Sequence, residues 1–204
     1  MSTDFAPFRV TICGIEELTG HCRAGVSHVL SILDPDWPEP HAFRQFDPHR
    51  RLELRFHDII DDAPNMLSPR PRDVERLLGF GRELADASGA HLLVHCHAGI
   101  SRSTAATVLI LAQARPQAPA ADAFAKIARL RPRAWPNLRI LEYGDELLGR
   151  RGEILAAARA HYRRALARDP YWGDTMVADG RGREVAAALD VEEARRTRGR
   201  HSRA

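Results

Sequence analysis

The chain has 204 residues, 44% hydrophobic and 28% charged, which is enough apolar material for one domain of ordinary size with some excess. Its 30 Lys and Arg against 27 Asp and Glu leave a net charge of +3, too near balance for a dedicated nucleic-acid binder. Lys126, the only lysine, follows Ala123, Phe124 and Ala125 with no glycine nearby, so a Walker phosphate loop is excluded. Cys13, Cys22 and Cys96 are too few for a disulfide framework and predict free thiols. Residues 1–9 lack the apolar run of a secretory signal, and no stretch of eighteen apolar residues predicts a membrane span. A cytoplasmic protein is the expectation.

In chain order, Arg9–Cys13 reads as a strand ended by Gly14, and Ile15–Leu18 as a short helical turn. His28–Leu33 is a second strand, stopped by Asp34-Pro35, after which Trp37 and the prolines to Pro40 predict a surface loop. Leu52–Phe56 alternates apolar and polar and predicts a third strand. Pro71–Ala87 carries Val74, Leu77, Leu78 and Leu84 on one helical stripe. His91–His95 is a nearly continuous apolar run, of the kind that parallel sheets bury on both faces.

Helices are then predicted over Ser103–Ala114, Ala120–Leu130, Asn137–Leu148 and Glu153–Arg168. Strands alternating with helices, followed by helices alone, predict an α/β fold with a mainly parallel central sheet flanked by helices. Residues 1–168 are the expected domain and 169–204 a C-terminal extension, with a helical pattern over Arg183–Arg196. Residues 195–204 hold five Arg and no acid, which predicts a mobile basic end.

The chemistry is concentrated in His95-Cys96-His97-Ala98-Gly99-Ile100-Ser101-Arg102-Ser103, between the buried strand and a helix. A loop in that position aims successive backbone N–H groups at one point, and the helix N-terminus adds partial positive charge. Gly99 lets it curl, and Arg102 can return over the same cavity to fork two oxygens of an oxyanion. Both features favour a bound phosphate and a Cys96 thiolate. A nucleophile and a phosphate cradle share one short loop.

This C-x5-R signature, in the fuller form H-C-x-x-G-x-x-R-S, resembles the cysteine-dependent protein tyrosine phosphatase superfamily, particularly its dual-specificity-like group. Gly25–Ile32 is similar to that group's early strand. Arg131-Pro132, Trp135-Pro136 and Asn137 are similar to its Arg-Pro…Pro-Asn segment before a late helix. The resemblance spans about residues 9–150, and the Arg- and Ala-rich composition, a mark of GC-rich coding, suggests a bacterial member.

The resemblance implies that Cys96 is the nucleophile of a phosphocysteine mechanism. Arg102 and the loop residues His97, Ala98, Gly99, Ile100 and Ser101 then bind the equatorial oxygens, and Ser103 eases sulfur departure. His95 and Asn137 become structural supports, and no metal or cofactor is required. Asp58, the first carboxylate past the third strand, which is expected to neighbour the Cys96 strand, and part of Phe56-His57-Asp58, is the expected general acid, with Asp61 and Asp62 as rivals. The expected substrate is a phosphorylated protein, phosphotyrosine first. Alternatives are a phosphate-binding pseudophosphatase and a phosphatase of phosphoinositides, nucleotides or sugar phosphates. His91, His95 and His97 share a strand face without a partnering Cys or His pair at finger spacing, so a metal site is disfavoured.

Overall fold

A computed structural model of the chain describes residues 6–85 and 87–189. Four parallel strands, β1 (Arg9–Cys13), β2 (His28–Leu33), β3 (Arg50–Arg55) and β4 (His91–His95), form one sheet in the order β1-β4-β2-β3. Helices α1 (Pro71–Ala85), α2 (Arg102–Ala114), α3 (Ala120–Leu130), α4 (Leu138–Leu147), α5 (Glu153–Arg168) and α6 (Tyr171–Ala178) complete the order. Residues 182–189 are also helical. The predicted basic end at 195–204 lies outside the described residues.

The apolar run of β4 is explained by two separate cores. Leu92 and Val94 join Leu30, Ile32 and Ile12 in the main core under the helices. Leu93 faces the other way, with Cys13, Val29, Leu18 and Phe43. That second face is closed not by α-helices but by two 3₁₀ segments, Ile15–His21 and His41–Gln45. The sequence predicts the first as a turn and misses the second, whose single buried side chain, Phe43, leaves no periodic pattern.

Helix α2 is buried from Arg102 through Ala112, the pattern of a helix surrounded on all sides. Gly144 of α4 lets it approach closely, since a Cβ there would sit 2.2 Å from Leu109 Cδ2. Two corrections concern β3. It runs over Arg50–Arg55 rather than Leu52–Phe56, because pairing begins opposite His28 and leaves Arg50 and Arg51 as charged edge residues. It also does not adjoin β4, since β2 lies between them. Helix α6 goes unpredicted, its pattern being short and weak.

Candidate active site

The segment from Cys96 to Ser101 joins β4 to α2, and its conformation follows from where its carbonyls are held. His97 O accepts from Ile15 N at 2.9 Å, Ala98 O from Arg131 Nη2 at 3.0 Å, and Gly99 O from Arg131 Nε at 3.2 Å. Ile100 O takes Trp135 N and the Thr104 hydroxyl, and Ser101 O takes Ala105 N. With the carbonyls of residues 97–101 all engaged, the loop's N–H groups are the ones available to an oxyanion cradle. Gly99 is in the left-handed region at φ 69°, and a Cβ there would lie 2.6 Å from Cys13 C. Only glycine fits. Arg131 is itself fixed by Glu17 at 2.9 Å.

Cys96 is buried, with Sγ 3.2 Å from Ser103 Oγ on the first turn of α2. The Arg102 guanidinium is anchored through Nη1, which donates to Asp34 Oδ1 at 2.5 Å and Phe56 O at 2.7 Å. Its Nε is buried and has no hydrogen-bond partner. A charged donor is therefore held out of water with one N–H unused, a geometry completed by an oxyanion. Phe56 reaches this point because its own N–H donates to Leu33 O, continuing β3 past the sheet toward the end of β2.

Of the three candidate acids, the fold brings Asp58 to the loop and directs the others away. His57 N donates to Leu67 O and Leu67 N to His57 Nδ1, pinching residues 57–67 into a closed loop with Asp58 at its base. Asp58 Oδ1 accepts from Ser101 Oγ at 2.7 Å, Asn137 Nδ2 at 2.9 Å and Arg181 Nη1 at 3.3 Å. Its Oδ2 faces Arg102 Nε at 3.9 Å. Asp61 pairs instead with Arg183 at 3.1 Å and is largely exposed. Asp62 is equally exposed, and the Ser68 hydroxyl, then Arg139 and Arg70, hold its carboxyl below the usual range. The expectation that the acid strand neighbours β4 is not met, since Asp58 arrives from one strand further out.

Asn137 caps α4 by accepting from Ile140 N, which leaves its amide free for Asp58 and Ile59 O. His95 is fully buried against Phe43, its Nδ1 3.4 Å from Cys96 O, and burial pushes its pKa down to about 4. His97 is kept neutral by burial first and then by Arg102, and its Nε2 accepts from Asp34 N. His91 bonds Thr11 and Ala24 O, so the three histidines do not converge. Cys13 is buried, and desolvation pushes its thiol up to about 12. Cys22 points at Leu18 O and Ala42 O.

His97, Ala98 and Ile100 of the loop form one wall of a cleft of about 980 Å³, with Trp37, Ile15, Glu16, Arg131 and Arg133 around them. Trp37 meets the His97 ring at 4.3 Å and is 43% exposed. The proline-flanked loop thus borders the site. Sequence reasoning missed Asp34, although it is the first carboxylate past the strand that does adjoin β4. It missed Arg181 and Glu184 as well, which lie beyond every motif.

The fold is that of the cysteine-dependent tyrosine and dual-specificity phosphatase superfamily. Among solved structures it is similar to human DUSP28, with a TM-score of 0.53 and 20% identity over 72% of this chain and 97% of that one. It is also similar to the human tyrosine phosphatase-like serine/threonine/tyrosine-interacting protein, with a TM-score of 0.54 and 22% identity over 72% and 95% of the two chains. The human protein phosphatase Slingshot homolog 3 is 32% identical over 125 residues, 60% of this chain but 16% of that protein. The chain therefore spans about a sixth of that relative's length. No family model matches the chain. Among the described residues, no helix is long and apolar enough to cross a membrane.

Proposed function

We propose that the protein is a metal-independent phosphomonoester hydrolase acting through a phosphocysteine, with phosphorylated protein, phosphotyrosine first, as its substrate. The observation that carries this is the buried, unpartnered Nε of Arg102, six residues after Cys96, at the end of a loop whose carbonyls at residues 97–101 are all engaged. Cys96 Sγ attacks phosphorus in line while the loop's N–H groups and Arg102 take the equatorial oxygens. The bond to the leaving oxygen breaks, and that oxygen takes a proton from Asp58.

Three donors saturate Oδ1 of Asp58, so Oδ2, on the side of Arg102, is the oxygen that carries the proton. In the second step the Asp58 carboxylate removes a proton from water. The new P–O bond then expels Cys96 Sγ, with the Ser103 hydroxyl donating to the departing thiolate. Trp37, exposed at the edge of the cleft, offers an aromatic face to a phosphotyrosine ring. The proposed working compartment is the cytoplasm.

The test is turnover of phosphotyrosine and phosphothreonine peptides and of soluble phosphoinositides, with Cys96→Ser as control. Phosphotyrosine turnover that Cys96→Ser abolishes supports the reading. Tight retention of phosphopeptide without turnover by the unsubstituted protein overturns it in favour of a binding module. Preference for the inositide would keep the mechanism and replace the substrate.

A further inference from the structure

Arg181 and Glu184 lie beyond the expected domain of residues 1–168, yet both are buried, at 5% and 0% exposure. Arg181 Nη1 donates to Ser101 Oγ at 3.1 Å as well as to Asp58 Oδ1. Ser101 has one hydroxyl proton. Because its oxygen receives Arg181, that proton is directed onto Asp58 Oδ1, 2.7 Å away. The guanidinium thus supplies one donor to Asp58 directly and orients a second.

Arg181 is fixed in turn by Glu184, whose Oε1 takes Nη2 at 2.7 Å and Leu138 N at 2.8 Å. The other oxygen of Glu184 accepts from Trp135 Nε1 at 2.5 Å. Leu138 begins α4, directly after Asn137, the third donor to Asp58. One buried carboxylate therefore holds both the arginine and the helix start that grip the acid. Burial opposes the charge on Arg181, and Glu184 and Asp58 outweigh it, so the guanidinium remains an ion.

We propose that Arg181 is a positioning residue for the reaction: together with Ser101 it locks Oδ1 of Asp58, so that Oδ2 alone faces the leaving oxygen. This rests on the assignment of Asp58 as the acid. A residue that only holds the fold would affect all substrates alike, whereas one that orients the acid matters most where the leaving oxygen needs its proton.

Arg181→Lys keeps the charge opposite Glu184 but loses the planar fork that reaches two partners at once. In the full chain it should lower kcat about tenfold for phenyl phosphate and less than about threefold for p-nitrophenyl phosphate, with inhibition by vanadate unchanged. Asp58→Asn should show the same leaving-group dependence more strongly, and adding Arg181→Lys to it should cause no further loss. Glu184→Gln, with Arg181 intact, provides a second variant should Arg181→Lys fold poorly, and a weaker leaving-group dependence of the same sign is expected from it. Equal losses on both substrates with weakened vanadate binding would make Arg181 purely structural. Losses that multiply in the double variant would also overturn the proposal while leaving Asp58 as the acid. If Asp58→Asn itself shows no leaving-group dependence, the acid assignment and the role of Arg181 fall together.

Discussion

The phosphate cradle and the acid corner meet at Ser101 but are built in opposite ways. The nucleophile, the curling glycine and the arginine of the cradle lie within seven consecutive residues, Cys96 to Arg102. Asp58 is held by side chains 43, 79 and 123 positions away. The first region is one continuous segment, although Ile15, Arg131 and Trp135 hold its carbonyls from outside. The second exists only once four separate segments have packed. Substitutions should therefore separate oxyanion binding from proton delivery.

The largest effect belongs to the cradle. Cys96→Ser should reduce turnover to background while vanadate still binds, because the amides and Arg102 remain. Undiminished turnover would sink the mechanism. Arg102→Lys should lower kcat/KM by about 10²- to 10³-fold and weaken vanadate as well, since an ammonium cannot reproduce the planar fork. At the acid corner, Asp58→Asn should lower kcat on phosphotyrosine by about 10²-fold or more with vanadate inhibition preserved. Asp61→Asn and Asp62→Asn should stay within about twofold, being exposed and paired on the outer side of the loop. A crippled Asp61 or Asp62 variant beside a silent Asp58 variant would move the acid elsewhere.

Arg131→Met sharpens the contrast from the cradle side. It removes the donors to Ala98 O and Gly99 O, two bonds worth about 1 kcal/mol each at most where partly exposed. The expected loss is about tenfold in kcat/KM, equal for good and poor leaving groups and matched in vanadate affinity. A loss confined to poor leaving groups would show that the two regions are not separable.

The smallest effect concerns acid stability. His95 titrates near 6.5 in the unfolded chain and near 4 in the folded one, because burial disfavours its charged form. The unfolded chain thus binds the proton more readily. The stability this difference represents is intact above about pH 6.5 and is lost as pH falls toward 4, by about 3 kcal/mol at most. Urea titrations at pH 7, 5.5 and 4.5 should show a slope that His95→Asn flattens. An unchanged slope in that variant would shift the acid sensitivity to the other buried histidines, His28, His91 and His161.

The difference between the regions also explains what was legible in the sequence. The parallel sheet, the helix series and the loop could be read because each is carried by contiguous patterns: the apolar β4 run, the α1 stripe, and C-x5-R. Asp58 was reachable because it follows a strand, although the neighbour rule used to choose it fails in the actual strand order. Asp34, Arg181 and Glu184 were missed, because an isolated charged residue looks like surface until packing closes over it. Glu184 is the extreme case, a fully buried carboxylate in a stretch whose sequence reads as weak helix.

The complete enclosure of α2 has a kinetic consequence. Its helix-paired amides, from Ala105 to Ala112, all belong to buried residues, so hydrogen exchange there should proceed by opening of the domain. Arg102 stands on the first turn of that helix. The cradle should therefore persist until the last cooperative unit melts, and partial denaturation would silence proton delivery long before it released a bound oxyanion.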